Sequence, residues 1–195
     1  MSHEIRTPMN AIIGFSGFLN EADLETEKIK YFTSIIQESS YKLLAIVNDI
    51  LTISTIVTNQ EKVNISEVDL NKVFNELSDL YLSQAKDKNI LLNFDLQLTE
   101  NQYLILTDKN KITQILSNLI SNALKFTKEG KIEIICSLKT NNLEFCVKDT
   151  GIGISEEFKT KIFQPFIQGD QSYTKKYQGT GLGLTICKRL IEILG

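Results

Sequence analysis

Tryptophan is absent from this 195-residue chain, proline occurs twice, histidine once and cysteine three times. With a single histidine, and with none of Cys136, Cys146 and Cys187 in a CxxC pair, there is no ligand set for zinc and no even framework of disulfides. The cysteines read as reduced thiols of a cytoplasmic protein. No apolar run approaches the roughly 18 to 20 residues of a membrane span. The N-terminus has neither a basic region nor a cleavage site, so neither a span nor a secretory leader is expected. Charge of one sign is also missing. The 21 basic and 24 acidic residues are interspersed at a net −3, which supplies no field for nucleic acid or anionic lipid. Neither nucleic acid nor membrane is expected as a partner of this stretch, and an inner-membrane anchor of a longer protein would lie outside it. What is present, 42% hydrophobic residues, suffices for one domain or two small ones.

The clearest periodicity lies in the first third. Phe32, Ile36, Ser39, Leu43, Ile46, Ile50, Ile53 and Val57 alternate steps of four and three, an a/d seam broken once by serine. Ile5, Met9, Ile12, Ser16 and Leu19 follow the same rule upstream, and the polar stretch from Asn20 to Lys28 suits a turn. Residues 1–58 are therefore predicted to form an all-α helical hairpin. Leu44 and Val47 widen the second helix's apolar face beyond one seam. Pairing two hairpins as a dimeric four-helix bundle would cover that face, so a homodimer is expected. Polar residues 59–64 read as a linker, and 65–195 as a second domain. Around and after that linker the pattern predicts strands over Val63–Val68, Ile90–Leu96, Tyr103–Thr107, Lys131–Leu138 and Leu143–Asp149, the last two joined at Asn141-Asn142. Helices are predicted over Leu70–Ala85, Ile112–Phe126 and Leu182–Leu194. The result is an α+β sandwich with helices on one face of a mostly antiparallel sheet.

Short runs along the chain carry chemistry. Ser2-His3-Glu4-Ile5-Arg6-Thr7-Pro8-Met9-Asn10 puts His3 and Thr7 four residues apart on one helix face, with Glu4 beside the histidine. A lone histidine near a terminus ordinarily means little. Here an adjacent carboxylate can hold the imidazole's tautomer and accept its proton, which suits attack on a phosphoryl group. Pro8 would cost about 3 kcal/mol inside a helix, so it predicts a functional kink. Within Gln114–Phe126, Asn118, Asn122 and Lys125 share one face of an apolar helix. An amide oxygen suits Mg²⁺, and an ammonium suits phosphate. Asp149-Thr150-Gly151-Ile152-Gly153 follows a strand, where a fixed carboxylate can accept from an exocyclic amine such as that of adenine. Finally, Phe163-Gln164-Pro165-Phe166 and a long polar stretch with Lys175 and Lys176 lead to Gly179-Thr180-Gly181-Leu182-Gly183-Leu184. That glycine run opens a helix whose free N–H groups favour phosphate, and the stretch before it reads as a lid.

In this order the runs resemble the phosphoacceptor hairpin and ATP-binding domain of sensor histidine kinases, most of all the hybrid class, whose members carry a receiver domain on the same chain. The resemblance implies a fold of the histidine kinase / GHKL ATPase type. It implies that His3 is phosphorylated from ATP, that Glu4 is the base, and that Thr7 helps position water for phosphatase activity. Asn118, Asn122 and Lys125 fall in the N box, with Asn122 as the Mg²⁺ ligand and Lys125 on phosphate. Asp149 would read the adenine amine with Gly151 and Gly153 around it. Lys175 and Lys176 fall in the lid, and Gly179, Thr180, Gly181, Leu182 and Gly183 in the second glycine box. The implied partner is the receiver domain of a response regulator, separate or on the same chain, whose aspartate takes the phosphoryl group.

Two positions depart from the family pattern, because Lys111 and Lys175 stand where relatives often carry arginine, and lysine lacks the bidentate fork for phosphate. The family also continues past Ile191–Gly195 with a final β-hairpin, so a C-terminally truncated domain with the last β-hairpin absent and an exposed sheet edge is expected. The rival readings are an ATPase without phosphotransfer and a non-catalytic dimerising scaffold.

Overall fold

A computed structural model describes residues 2–21, 24–58, 61–140, 142–167 and 180–195. The chain forms two compact units, Met1–Glu61 with Gln164–Leu182, and Lys62–Phe163 with Gly183–Gly195.

The first unit is built on helices α1 (Ser2–Phe18) and α2 (Thr26–Val57). At 1.5 Å per residue, α2 is roughly 48 Å long. Its predicted seam holds from Phe32 to Ile53: each of those positions is buried or half-buried, with Ser39 and Ile46 innermost. The seam of α1 is corrected by one residue. Ile5, Pro8, Ile12, Phe15 and Leu19 turn inward, whereas Met9 and Ser16 are exposed. Steps of three and four fit both registers, and Pro8 supplies the apolar atoms that settle the choice. The helix runs without interruption through buried Pro8. Near the turn, Phe32 meets Phe15 at 5.5 Å and Phe18 at 5.6 Å between ring centroids, which ties the two helices together. Met9, Ile13, Leu44, Val47 and Leu51 remain exposed, by 42% to 62%.

The second unit contains β1 (Ser66–Asp69), α3 (Leu70–Asp87), β2 (Ile90–Gln97), a 3₁₀ turn (Glu100–Gln102), β3 (Leu104–Thr107), α4 (Lys109–Phe126), β4 (Gly130–Lys139), β5 (Asn142–Asp149), α5 (Glu156–Lys159) and α6 (Gly183–Leu194). Instead of one mostly antiparallel sheet, the strands among the described residues form two. Strands β1 and β3 pair antiparallel, and a three-stranded sheet runs β2-β4-β5. In the latter β2 and β4 are parallel, Ile90 lying opposite Gly130, while β4 and β5 form an antiparallel hairpin. The segment between β2 and β4 carries β3 and α4, and a parallel pair requires such a crossover.

Helix α3 packs Val73, Phe74, Leu77 and Tyr81 on the three-stranded sheet, and α4 adds Ile112, Leu116, Ile120 and Ala123. From the sheet, Ile132, Ile134 and Cys136 of β4 are fully buried, and Phe74 meets Phe94 edge-on at 5.8 Å. Both long helices start on aspartate caps: Asp69 accepts from the N–H of Asn71 at 3.0 Å, and Asp108 from that of Asn110 at 3.0 Å.

Asp108 does more than cap. It is 4% exposed, its Oδ2 accepts the N–H of Asn64 at 2.9 Å, and it faces the equally buried Lys111 ammonium at 3.9 Å. This is why β1 begins at Ser66 and not at Val63: Asn64 is pinned to the start of α4. Burial disfavours the charge on Asp108, but the N–H groups of Asn64, Lys111 and Asn110 and the Lys111 ammonium outweigh it and hold the carboxyl below its usual range. The stability so gained is present at neutral pH and is lost as the pH falls through the depressed pKa. Asp108→Ala is expected to lower the unfolding free energy by about 3 kcal/mol, since a cap and the partner of a buried cation go together, and urea titration will measure it.

Candidate functional site

Helix α4 is the spine of the second unit's candidate site. Asn118, Asn122 and Lys125 stand on one of its faces, as the spacing predicts. Asn118 Nδ2 donates to the carbonyl of Gly183 at 3.4 Å, so the amide run on α4 meets the opening residue of α6. The N-terminal N–H groups of α6 follow at once, the arrangement that favours an anion. The helix is held there by Thr185 Oγ1, which donates to the carbonyl of Phe163 at 3.0 Å, and by buried Ile186 and Leu190. One turn along α4, the side chain of Asn122 is half-buried and makes no hydrogen bond among the described residues. The Lys125 ammonium lies 5.0 Å from the centroid of the Phe126 ring, with no carboxylate partner among the described residues. Burial pushes its pKa down. A half-desolvated cation over a ring is disposed toward an anionic ligand.

The turn after β5 closes on the end of the same helix. Asp149 Oδ1 accepts the N–H of Gly151 at 2.8 Å, and the N–H of Ile152 donates to the carbonyl of Phe126 at 3.3 Å. A Cβ on Gly151 would stand 2.5 Å from that carbonyl oxygen, so only glycine fits. Gly153 differs: its φ is +70°, yet a Cβ there meets open space. Gly151→Ala should therefore destabilise by more than about 3 kcal/mol through backbone collision, and Gly153→Ala by about 1 kcal/mol through the strained φ alone. Thermal melts of the two proteins measure the difference.

Three residues overlooked in the sequence brace this site. Thr150 Oγ1 accepts the N–H of Lys131 at 3.0 Å, and Gly130, at φ +111°, leaves room for that hydroxyl where any side chain would collide with it. Lys88 Nζ donates to the carbonyl of Leu124 at 2.8 Å, capping the end of α4. A glycine opening a strand was a usable signal for the first pair, whereas nothing distinguishes Lys88 from other lysines of a solvated face. Lys111, one of the two departures from the family pattern, is buried. It is 6% exposed and its ammonium lies 3.9 Å from Asp108 Oδ2 at the start of the helix, so it is far less open to solvent than a departure on a surface position would be.

In the first unit Glu4 and Thr7 are half-buried in the opening turns of α1. His3 lies in the first turn of that helix, and its side chain is outside the described residues, as are Lys175, Lys176 and Gly179. The unit also includes Thr180, Gly181 and Leu182. Gly181 has φ +69°, and its carbonyl accepts the N–H of Phe166 at 3.0 Å. Thr180 Oγ1 accepts the N–H of Leu182 at 3.2 Å and donates to Asp49 Oδ2 on α2 at 2.9 Å. Asp49 is half-buried, and burial raises its pKa against the smaller opposing effect of the Thr180 hydroxyl. Sequence reasoning passed it over as one polar residue of an amphipathic helix.

Comparison with known proteins places these features in a family. Residues 1–59 match the His Kinase A (phospho-acceptor) domain, and residues 107–195 match the histidine kinase-, DNA gyrase B- and HSP90-like ATPase. The chain is 40% identical over 202 residues to the autoinducer 2 sensor kinase/phosphatase LuxQ of Vibrio vulnificus, covering 100% of this chain and 23% of that protein. It thus spans about a quarter of that relative's length. Among solved structures, full-length ShkA in complex with AMPPNP matches with a TM-score of 0.72 at 31% identity, over 97% of this chain and 39% of that one. Histidine kinase ThkA in complex with the response regulator TrrA matches with a TM-score of 0.70 at 30% identity, over 99% of this chain and 53% of that one. With a phosphoacceptor hairpin followed by an α/β domain of the GHKL ATPase type, the chain belongs to the sensor histidine kinases of two-component systems.

Proposed function

We propose that this chain phosphorylates His3 from Mg·ATP and passes the phosphoryl group to an aspartate of a receiver domain. The observation that carries this is the meeting of the three ATP-site runs on α4: Asn118 on Gly183, Gly151 against the Phe126 carbonyl, and the half-buried Lys125 ammonium between them in sequence. A site with a desolvated cation, a helix N-terminus and a glycine turn fits a nucleotide triphosphate. Among the described residues no cluster of His, Cys, Asp and Glu could hold a metal by itself. An amide oxygen of Asn122 suits Mg²⁺, which takes few protein ligands and completes its shell with water and phosphate oxygens.

In this reading Asp149 accepts from the adenine amine, while Gly151 and Gly153 let the backbone approach the base. Asn118 and the N–H groups after Gly183 orient the phosphates, and Lys125 offsets their charge. By the same reading Lys175, Lys176 and Gly179 belong to the lid, and Thr180, Gly181 and Leu182 to the second glycine box. His3 attacks the γ-phosphorus through a ring nitrogen; the N–P bond forms as the bond to the β-phosphate oxygen breaks, ADP leaves, and Glu4 takes the ring proton. In the second step the N–P bond breaks as the receiver carboxylate takes the phosphoryl group. ThkA, solved with a response regulator, supports a partner of that kind. Thr7 would position water for dephosphorylation. We assign residues 1–58 to the phosphoacceptor hairpin, 59–64 to the linker and 65–195 to the ATP-binding domain. No helix among the described residues is long and apolar enough to cross a membrane, which fits a cytoplasmic placement of this stretch.

Dimerisation completes the reading. Leu44, Val47 and Leu51 are exposed at a/d spacing, and a second hairpin would cover them. Replacing Leu44 and Leu51 together by lysine is expected to weaken dimerisation more than about 100-fold, seen as a monomer in sedimentation while helix content is kept. The function itself is tested with γ-labelled ATP. Acid-labile, base-stable label on the protein supports the kinase, phosphate release without label supports an ATPase, and neither supports a scaffold.

A further inference from the structure

We propose that Asp49 is a positioning residue for the kinase reaction, holding Thr180 of the second glycine box against helix α2 so that the phosphate-binding loop sits beside Glu4, the neighbour of the phosphoacceptor. The inference rests on the function proposed above. Three observations inside the first unit carry it. The Thr180 hydroxyl is fixed at both ends, donating to Asp49 Oδ2 at 2.9 Å and accepting from the Leu182 N–H at 3.2 Å, so the carboxylate sets the course of the loop from 180 to 182. A small cavity is lined by Glu4 of α1, Ile46 and Ile50 of α2, and Phe166, Thr180 and Leu182, which puts the glycine loop and the proposed base around one space. Phe166 is held at φ +63°, a strained value for a bulky residue, and its N–H bonds Gly181. Such strain persists only where the surroundings over-determine the conformation.

The half-buried setting of Asp49 adds a reason for the choice of group. A carboxylate withdrawn from water next to Ile46 and Ile50 is costly unless it is hydrogen-bonded, and the Thr180 hydroxyl supplies the bond. The contact therefore fails readily when either member is lost, and the loop then loses its seat on α2. Asp49 itself makes no contact assigned to the nucleotide, and Asn118, Lys125, Asp149 and the N–H groups after Gly183 stay in place without it, so its loss should change ATP affinity little and slow chiefly the transfer.

Asp49→Ala and Asp49→Asn are compared with the unsubstituted chain by nucleotide affinity, by the rate of His3 labelling at saturating ATP, and by amide exchange of the segment 180–186. Expected for Asp49→Ala is a fall in labelling rate of at least about tenfold, the scale of a misplaced reactant. ATP affinity should stay within about twofold, and exchange at the Leu182 N–H should be faster. Asp49→Asn keeps an acceptor oxygen and should recover most of the rate. Unchanged exchange in Asp49→Ala, or a rate and affinity that fall together, would overturn the proposal. A merely structural role would lower the melting temperature of both variants without separating rate from affinity, and overturns it as well. If the unsubstituted chain binds ATP but never labels His3, the kinase reading fails by itself. Exchange at 180–186 then still decides whether Asp49 seats the loop.

Discussion

Replacing His3 by glutamine is expected to remove the acid-labile, base-stable label from the protein, a loss of at least about a thousandfold that follows from deleting the nucleophile proposed for the reaction. Glutamine is close in size and helix propensity, so α1 and the packing of its neighbours Glu4 and Thr7 should be kept. Binding of ATP should change by less than about twofold, because His3 belongs to the hairpin match and is not among the residues proposed to hold the nucleotide on α4, α6, the turn after β5 and the loop 180–182. Phosphoamino-acid analysis of the labelled chain, run beside equilibrium nucleotide binding, gives the answer. Label persisting in His3→Gln would place the acceptor elsewhere and remove the reason for reading Glu4 as its base.

The second large effect is expected at Asn122. Alanine there should lower His3 labelling at least about 100-fold, since in the proposed reaction Asn122 would hold a Mg²⁺ that would supply charge stabilisation for phosphoryl transfer. The fold should not suffer. Asn122 makes no hydrogen bond among the described residues, and alanine is the better helix former at a half-buried position of α4. Titration with Mg²⁺ is the discriminating measurement, because loss of an amide ligand raises the metal concentration needed for half-maximal rate, whereas a packing defect does not. Mixing Asn122→Ala with His3→Gln adds a further readout. Each has what the other lacks, so labelled Asn122→Ala chains appear only when transfer crosses between protomers of a dimer. If the Asn122→Ala rate is unchanged, the amide ligand must be sought at Asn118.

Much of this could be read from residue order because its elements announce themselves locally. The amide face of α4 needs only a period of 3.6 and three residues, Asn118, Asn122 and Lys125. The hairpin needs only the seam of α2. What could not be read was partner choice. Alternation marks β2, β4 and β5 as strands but is silent on which strand each meets, so the parallel pairing of Ile90 with Gly130 was missed. The slip in α1 has a different origin, since proline was treated as a breaker and not as an apolar seam residue, although Pro8 is buried. Asp108 was available in principle: an aspartate before a helix is a cap signal, and only its reach to Asn64 lay beyond sequence. Asp49 was not available. On an amphipathic helix it is indistinguishable from Glu38, which merely pairs with Lys42 across one turn in solvent.

The parallel pairing of β2 with β4 also bears on the order in which the chain acquires its structure. Hairpin contacts are local, and the apolar stripe ending at Leu51 is complete before any strand of the second unit has been synthesised. The three-stranded sheet, by contrast, cannot form its central pair until the whole crossover through α4 has been made and its ends brought together, a slow step in topological terms. Synthesis from the N-terminus therefore exposes the association surface first and the nucleotide site last, so two nascent chains can meet through their helices while neither is yet able to hold ATP.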